Sequence, residues 1–340
     1  MGPLPPTTDL DAIIERAEPL FKRLEGSRLF LTGGTGFFGR WLLESLHHAE
    51  QRLTLNLDIT VLSRNPGDFL RSAPHLAAWN RLSWLCGDIR NFQTPPGSFH
   101  FIIHAATAAS AHLNQSKPAE MYDTIVQGME NILELCVPGT TEGMLLTSSG
   151  AVNGPQPASL ETMGEDDMRP DAVLSSAYAQ GKRRAEAMAT DSGLPIKIAR
   201  GFAFVGPHMS FDSHFAVGNF IRDACAGGPI SITGDGTPLR SYLYASDLVI
   251  WLLKILMDGK PARPYNVGSD LPVSIADLAH QIAHWARDCP IQIHGTSSGL
   301  PPERYIPSIE RARSELDLHV WTPLPKAIQR TLDWYRESLH

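Results

Sequence analysis

Tyr178 and Lys182, in "YAQGK", stand four positions apart, a spacing that puts both on one helical face one turn from each other. An unperturbed tyrosine, with a pKa of ~10, is too weakly acidic to act as a base near neutrality. A neighbouring ammonium favours the phenolate. Lowering the pKa by ~3 units takes ~4 kcal/mol of differential stabilisation, which a desolvated cationic site can supply. The pair alone also fits an exposed helix face. A serine-rich strand end, "LLTSSGAVNG" (145–154), lies upstream and offers Ser149, with Ser148 as the alternative. Hydroxyl, phenol and amine together can polarise a substrate oxygen and move its proton. Gly181, inside the same helix, costs ~1 kcal/mol relative to alanine and points to a close approach against the backbone.

Such groups need a scaffold, and "LFLTGGTGFFGRWLLESL" (29–46) begins it. Gly33, Gly36 and Gly39 follow a strand and open a helix, where glycines permit a tight turn, close backbone approach and tight helix–strand packing. The helix amino terminus then offers free N–H groups and a positive dipole end to a pyrophosphate. The alternative is a structural turn without a ligand. Strand-like runs recur at "RLFLT" (28–32), "DITVLS" (58–63), "RLSWLCG" (81–87), "FHFIIHA" (99–105), "GMLLTSS" (143–149) and "LPIKIAR" (194–200). Helical patterns such as "YDTIVQGMENILELC" (122–136) lie between several of them.

This alternation predicts an α/β fold: a Rossmann-type doubly wound parallel sheet with a smaller, mostly C-terminal substrate-binding α/β cap. Residues 1–26 read as an arm and a helix (10–26). Residues 27–200, with returning segments near 236–268 that include "PYNVGS" (264–269), read as the dinucleotide domain. Residues 201–235 and 269–340 read as the cap over the sheet's carboxyl edge.

The chain has 340 residues, 43% hydrophobic and 19% charged, with a net charge of −7. That is the composition of a globular domain, and no basic block exceeds "KRR" (182–184), which argues against a nucleic-acid partner. Cys86, Cys136, Cys225 and Cys289 are scattered without metal-ligand spacing, so the expectation is reduced thiols, no metal and a cytoplasmic location. The start lacks a secretory signal, and Pro6 breaks a myristoylation pattern. No apolar run reaches transmembrane length, so no membrane association is expected.

The turn "TGGTGFFG" resembles the cofactor turn of the extended short-chain dehydrogenase/reductase family, the nucleotide-sugar epimerases, dehydratases and reductases. "GDIR" (87–90), "HAAT" (104–107), "LLTSSGAVNG", "YAQGK", "GDGTPLRSYLYASDL" (234–248) and "PERYIPSIERARSEL" (302–316) follow in the family's order. The resemblance implies NAD or NADP held by Gly33, Thr35, Gly36, Phe37, Phe38 and Gly39. Asp88 and Ile89 would lie by the adenine, and His104, Ala105, Ala106 and Thr107 along the phosphates and ribose. It implies Ser149, five residues before Gly154, as the polarising hydroxyl, Tyr178 as the proton carrier, and Lys182 also holding the nicotinamide ribose. NAD-preferring members end the second strand with an acid, whereas here stand Ser63 and Arg64. Arg64 can neutralise a 2′-phosphate, which favours NADP, or else stack on adenine or face solvent.

The same resemblance implies a nucleotide-diphosphate sugar as substrate, its diphosphate gripped by Arg240 and Arg304 and contacted by Asn219. Surface salt bridges are the alternative for these residues. His208 and His214 are expected only to meet solvent. Where 4,6-dehydratases carry Asp-Glu, this chain has Gly150 and Ala151, so elimination would need Glu161, Glu165 or Asp166 to fold in. Asn153 and Ala203 replace a usual tyrosine and asparagine. The expected reaction is hydride transfer at C4, as a 4-epimerase or a 4-keto reductase. A 4,6-dehydratase and a non-catalytic NAD(P)-sensing protein are the alternatives. Helices near 122–136 and 176–189 offer faces for a homodimer.

Overall fold

The computed structural model describes residues 3–106, 111–168, 174, 176–211, 215–286, 289–297 and 299–339, with backbone only at 111–113. Seven strands form one parallel sheet: β1 (Arg28–Thr32), β2 (Asp58–Ser63), β3 (Leu82–Cys86), β4 (Phe101–His104), β5 (Gly143–Ser149), β6 (Ile196–Gly201) and β7 (Pro264–Val267). Their order is β7-β6-β5-β4-β1-β2-β3, so the winding reverses between β1 and β4. A crevice at such a reversal, outside the carboxyl ends, is where open α/β sheets bind ligands. The fold class expected from the sequence is thus observed. Some strands are two or three residues shorter than the apolar runs that announced them, as at 82–86 within 81–87 and 101–104 within 99–105.

Parallel strands are buried on both faces, and β1 shows how. Leu29 and Leu31 enter a core with Trp41, Leu42, Ile59 and Trp251, while Phe30 faces the other way into Ile102, Ile125, Met129 and Ile198. Six helices matter for the site: α1 (Thr7–Lys22), α2 (Phe37–Leu53), α3 (Pro118–Leu133), α4 (Ala177–Asp191), α5 (Ala216–Cys225) and α6 (Ala245–Asp258). The N-terminal helix runs 7–22 rather than 10–26, and docks through Leu10, Ile13, Ala17 and Phe21. It is pinned where the Tyr244 hydroxyl donates to buried Asp9 at 2.6 Å.

A separate core beyond the carboxyl edges gathers Val205, Val217, Phe220, Leu278, Ile282, Ile328 and Leu332. Near it, Arg304–Tyr305 pairs in parallel with Leu239–Arg240, which also pairs antiparallel with Val273–Ser274. Among the described residues no helix is long and apolar enough to cross a membrane.

Candidate active site

The glycine elbow divides its three glycines between two jobs. A Cβ on Gly33, whose φ is +73°, would lie 2.4 Å from the Ala105 carbonyl oxygen. One on Gly39 would lie 2.2 Å from the Gly33 oxygen. These two let β1, the turn, α2 and the exit from β4 touch. Gly36 differs: it is exposed, caps α2 without a side-chain bond, and a Cβ there would meet only the Gly33 oxygen, at 3.4 Å. Open space therefore faces the uncapped first-turn amides of α2, whose first turn carries no acid, and that space fits a pyrophosphate. Thr35 is exposed beside it. Phe37 and Phe38 are half-buried, the latter edge-on to Phe204 at 4.9 Å.

At the expected adenine end, Ser63 is half-buried and Arg64 exposed. Asp88 is clamped by Arg90, whose Nε donates to Oδ1 and Nη2 to Oδ2, each at 2.9 Å. This clamp holds the Asp88 carboxyl below the usual carboxylate range. Ile89 is buried over Gly128 of α3. His104 is buried, with Nδ1 2.8 Å from Thr32 Oγ1, which also accepts from Ala106 N at 3.0 Å. Burial, then the Lys182 charge, push its imidazole down to about 3, so it is a neutral strut between β1 and β4. Ala105 and Ala106 are half-buried at that exit, and Thr107 lies outside the described residues.

Ser149 ends β5, and its Oγ accepts from Ala151 N at 3.2 Å. Tyr178 sits in the first turn of α4, which Ser176 caps by accepting from Ala179 N at 3.2 Å. Asn114 Oδ1 accepts from Tyr178 N at 3.1 Å. The Tyr178 side chain is half-buried, with the Ser149 side chain near its hydroxyl. Lys182 Nζ lies 5.9 Å from the Tyr178 ring centroid and donates to Thr147 O at 2.7 Å. The structure thus brings all three residues together.

In the protein without ligand the phenol is not acidified. Burial pushes the Tyr178 pKa up, and the Ser149 contact is what opposes the rise. Lys182 is turned to the Thr147 carbonyl, and burial lowers the lysine itself to about 8. Gly181 has its explanation: a Cβ there would lie 3.0 Å from Ile125 Cδ1, so it lets α3 and α4 pack closely.

Ser148 is not an alternative to Ser149. Its hydroxyl donates to Glu186, which is also held by Arg200 Nε at 3.0 Å and Nη2 at 2.7 Å. Arg200 further donates to Glu165 O at 2.9 Å and to Asn153 Oδ1 at 3.4 Å. This buried network, not foreseen from the sequence, joins β5, β6 and the loop after β5 to the helix that carries Tyr178 and Lys182.

On the substrate side, Arg240 Nη2 donates to Glu303 Oε1 at 2.9 Å. The register pairs Arg304 with Leu239 and Tyr305 with Arg240. Strand alternation then sets Arg304 on the opposite face from Arg240, so the two guanidiniums do not converge here. Asn219, in the first turn of α5, accepts from Arg222 Nη1 at 3.4 Å. His208 is not a solvent-facing loop residue: it is half-buried with Nε2 enclosed, its ring edge-on to Trp334 at 4.6 Å, and burial pushes it down to about 3. His214 lies outside the described residues. The residue that sequence reasoning passed over is Tyr305. It is half-buried with its ring packed on Phe202, centroids 4.8 Å apart, and its adjacency to Arg304 was the only signal.

The family model "NAD dependent epimerase/dehydratase family" matches residues 29–268. The chain belongs to this family. It is 31% identical over 243 residues to UDP-glucuronic acid decarboxylase 5 of Arabidopsis thaliana, covering 67% of this chain and 66% of that protein. The chain therefore spans slightly less than two thirds of that relative's length. The fold matches the epimerase Mth375 of Methanothermobacter thermautotrophicus, with a TM-score of 0.80, 20% identity, and 96% and 97% of the two chains covered. It also matches the dTDP-glucose 4,6-dehydratase DesIV of Streptomyces venezuelae, solved with NAD bound, with a TM-score of 0.76, 22% identity, and 91% and 97% covered.

Membership in the epimerase/dehydratase family sharpens the departures noted in the sequence. A Cβ on Gly150 would lie 2.5 Å from the Phe202 ring, so an aromatic side chain fills the space of an acidic one. The nearby carboxylates are engaged elsewhere: Glu165 accepts from Asn266 N at 2.8 Å, and Asp166 pairs with Arg311. Glu161 is exposed. None replaces the acid–base pair that elimination across C5–C6 requires.

Proposed function

We propose that this protein is an NAD(P)-dependent enzyme that transfers hydride at C4 of a nucleotide-diphosphate sugar, as a 4-epimerase or a 4-keto reductase. The observation that carries the reading is the meeting of Ser149, Tyr178 and Lys182 at the carboxyl edge of β5, beside an elbow with room for a pyrophosphate. The nicotinamide, when bound, supplies the hydride donor or acceptor. Ser149 orients the C4 oxygen by donating to it, and Tyr178 takes or returns that oxygen's proton. Lys182, buried and donating to Thr147 O, is the residue that holds the ribose hydroxyls. Arg240 meets the diphosphate by exchanging its Glu303 partner, with Asn219 as a further polar contact.

The curated relatives favour a second reading, decarboxylation of a nucleotide uronate. C4 oxidation there places a ketone β to the carboxylate, so loss of carbon dioxide follows from the same first step. Incubation with neutral, 4-keto-6-deoxy and uronate nucleotide sugars, read by mass spectrometry and NADPH absorbance, separates these outcomes. Failure of every sugar to change at C4 would refute both.

NADP is the proposed cofactor, because β2 ends in Ser63 and exposed Arg64 instead of an acid. Arg64→Ala should weaken NADPH binding about tenfold while leaving NADH within twofold, as loss of a charge-assisted phosphate contact implies. Equal losses for both cofactors would contradict this. The reading includes a homodimer through α3 and α4, checked by light scattering.

A further inference from the structure

Residues 29–268, which the family model matches, leave out both ends of the chain, and in the fold the two ends meet. α1 docks on the sheet side through Ile13 and Ala17. A seventh helix, α7 (Leu324–Ser338), packs into the cap core through Ile328 and Leu332. Trp334 Nε1 of α7 donates to Leu4 O, just ahead of α1, at 3.0 Å, and Arg330 of α7 pairs with buried Asp9 of α1. Between these helices and the start of α6 lies a cavity of about 110 Å³. A single water needs roughly 10–15 Å³ of such space, so a group of several heavy atoms fits.

Its lining is cationic. Arg16 of α1 and Lys326 and Arg330 of α7 border it, in a chain whose net charge is −7. Among the described residues, Asp247 is the one acid in the lining. Its Oδ2 accepts from Trp321 N at 2.9 Å and Thr322 N at 2.8 Å, and its Oδ1 from Thr322 Oγ1 at 2.9 Å. It pairs with none of the three cations. Arg330 gives Nη1 to Asp9 and keeps Nε and Nη2 without a partner among the described residues. Lys326 makes no ion pair among them. Arg16 donates to Ala12 O at 3.2 Å and lies 5.9 Å from the Trp321 ring centroid, so it is steadied without being neutralised. Gathering like charges around one hollow costs Coulomb energy, which an anion there reverses. We propose that this cavity binds a phosphate group, as the free ion or at the end of a phosphate monoester. Such a group carries about −1.5 to −2 charge near neutrality, and guanidinium forks match its oxygens in pairs. None of the lining residues belongs to the glycine elbow or to the Ser149–Tyr178–Lys182 set, so the site stands apart from the proposed reaction. The bound anion joins α1 to α7 and thereby fixes the cap against the sheet.

The test is calorimetric titration of the full-length protein with inorganic phosphate, against chloride of matched ionic strength. A second arm with glycerol 3-phosphate separates the two sources: tighter binding than phosphate assigns the site to a monoester, and equal or weaker binding to the free ion. Arg16 and Lys326 are exposed, so Arg16→Gln and Lys326→Gln should fold normally. Each should weaken binding about tenfold, as loss of one charge-assisted contact implies. Gly36→Ala and Arg240→Ala, which touch the proposed cofactor and substrate sites, should leave it within twofold. Phosphate at a hundredfold excess over its dissociation constant should raise Tm by about 4 °C. At that same concentration the Arg16→Gln, Lys326→Gln double variant should gain less than about 1 °C. No binding of either ligand beyond the chloride control, or binding that both glutamine variants leave unchanged, would overturn the site. So would binding that Gly36→Ala or Arg240→Ala abolishes, because the phosphate would then belong to the cofactor or substrate subsite.

Discussion

Glu186 and Arg200 give the structure's most quantitative prediction. Arg200 is 2% exposed and Glu186 6%, and three N–O contacts between 2.7 and 3.2 Å join them. Removing one partner strands a buried charge, which costs ~3–5 kcal/mol. Unfolding entropy of ~2.1 cal/mol/K per residue gives ~0.7 kcal/mol/K over 340 residues. Glu186→Met or Arg200→Met should therefore lower Tm by about 4–7 °C. The double Met variant, which removes both charges, should be more stable than the sum of the singles implies, with coupling of at least ~2 kcal/mol. Calorimetry on the four proteins measures this. Glu186 is one turn from Lys182 on α4, so both single variants should also bind cofactor more weakly. Singles that melt within a degree of the unmodified protein, or strictly additive losses, would refute the buried-pair argument.

Gly36→Ala should fold with its Tm nearly unchanged yet bind cofactor at least about tenfold more weakly, because its Cβ enters the open phosphate space. Gly39→Ala, driving a Cβ into the Gly33 carbonyl, should instead lose the fold, as circular dichroism would show. Since Lys182 titrates at about 8, its ammonium is lost as pH rises through that value, and cofactor affinity should fall there. The unfolded lysine titrates at ~10.4, so the folded state binds fewer protons across that window and stability should rise with pH; Lys182→Met should lack both trends. Arg240→Ala should raise KM for the nucleotide sugar with kcat little changed, since a diphosphate contact serves ground and transition states alike.

What the sequence disclosed was local. "RLFLT" and "DITVLS" are short apolar runs closed by turn residues, and they appear as neighbouring strands β1 and β2. The glycine elbow and the Tyr178–Lys182 spacing were equally legible, because neighbours along the chain define them. What stayed hidden depends on distant parts meeting. Arg200 at the end of "LPIKIAR" gives no sign that Glu186 waits across the sheet edge. Tyr305 comes to rest on Phe202 only when the cap folds back onto the loop after β5. Lys182 beside Tyr178 suggested an acidic phenol, but the Thr147 carbonyl and the burial of both groups reverse that expectation for the protein without ligand. Arg240 and Arg304 looked like a pair until the register set Tyr305, and not Arg304, opposite Arg240.

The central claim is that Tyr178 and Ser149 handle the proton of a C4 carbinol while its hydrogen leaves as hydride. A stopped-flow reaction with a nucleotide sugar deuterated only at C4 tests it directly. The account predicts that nicotinamide reduction slows on deuteration and disappears in Tyr178→Phe. Reduction at the same rate with either isotope, or undiminished in that variant, would contradict it.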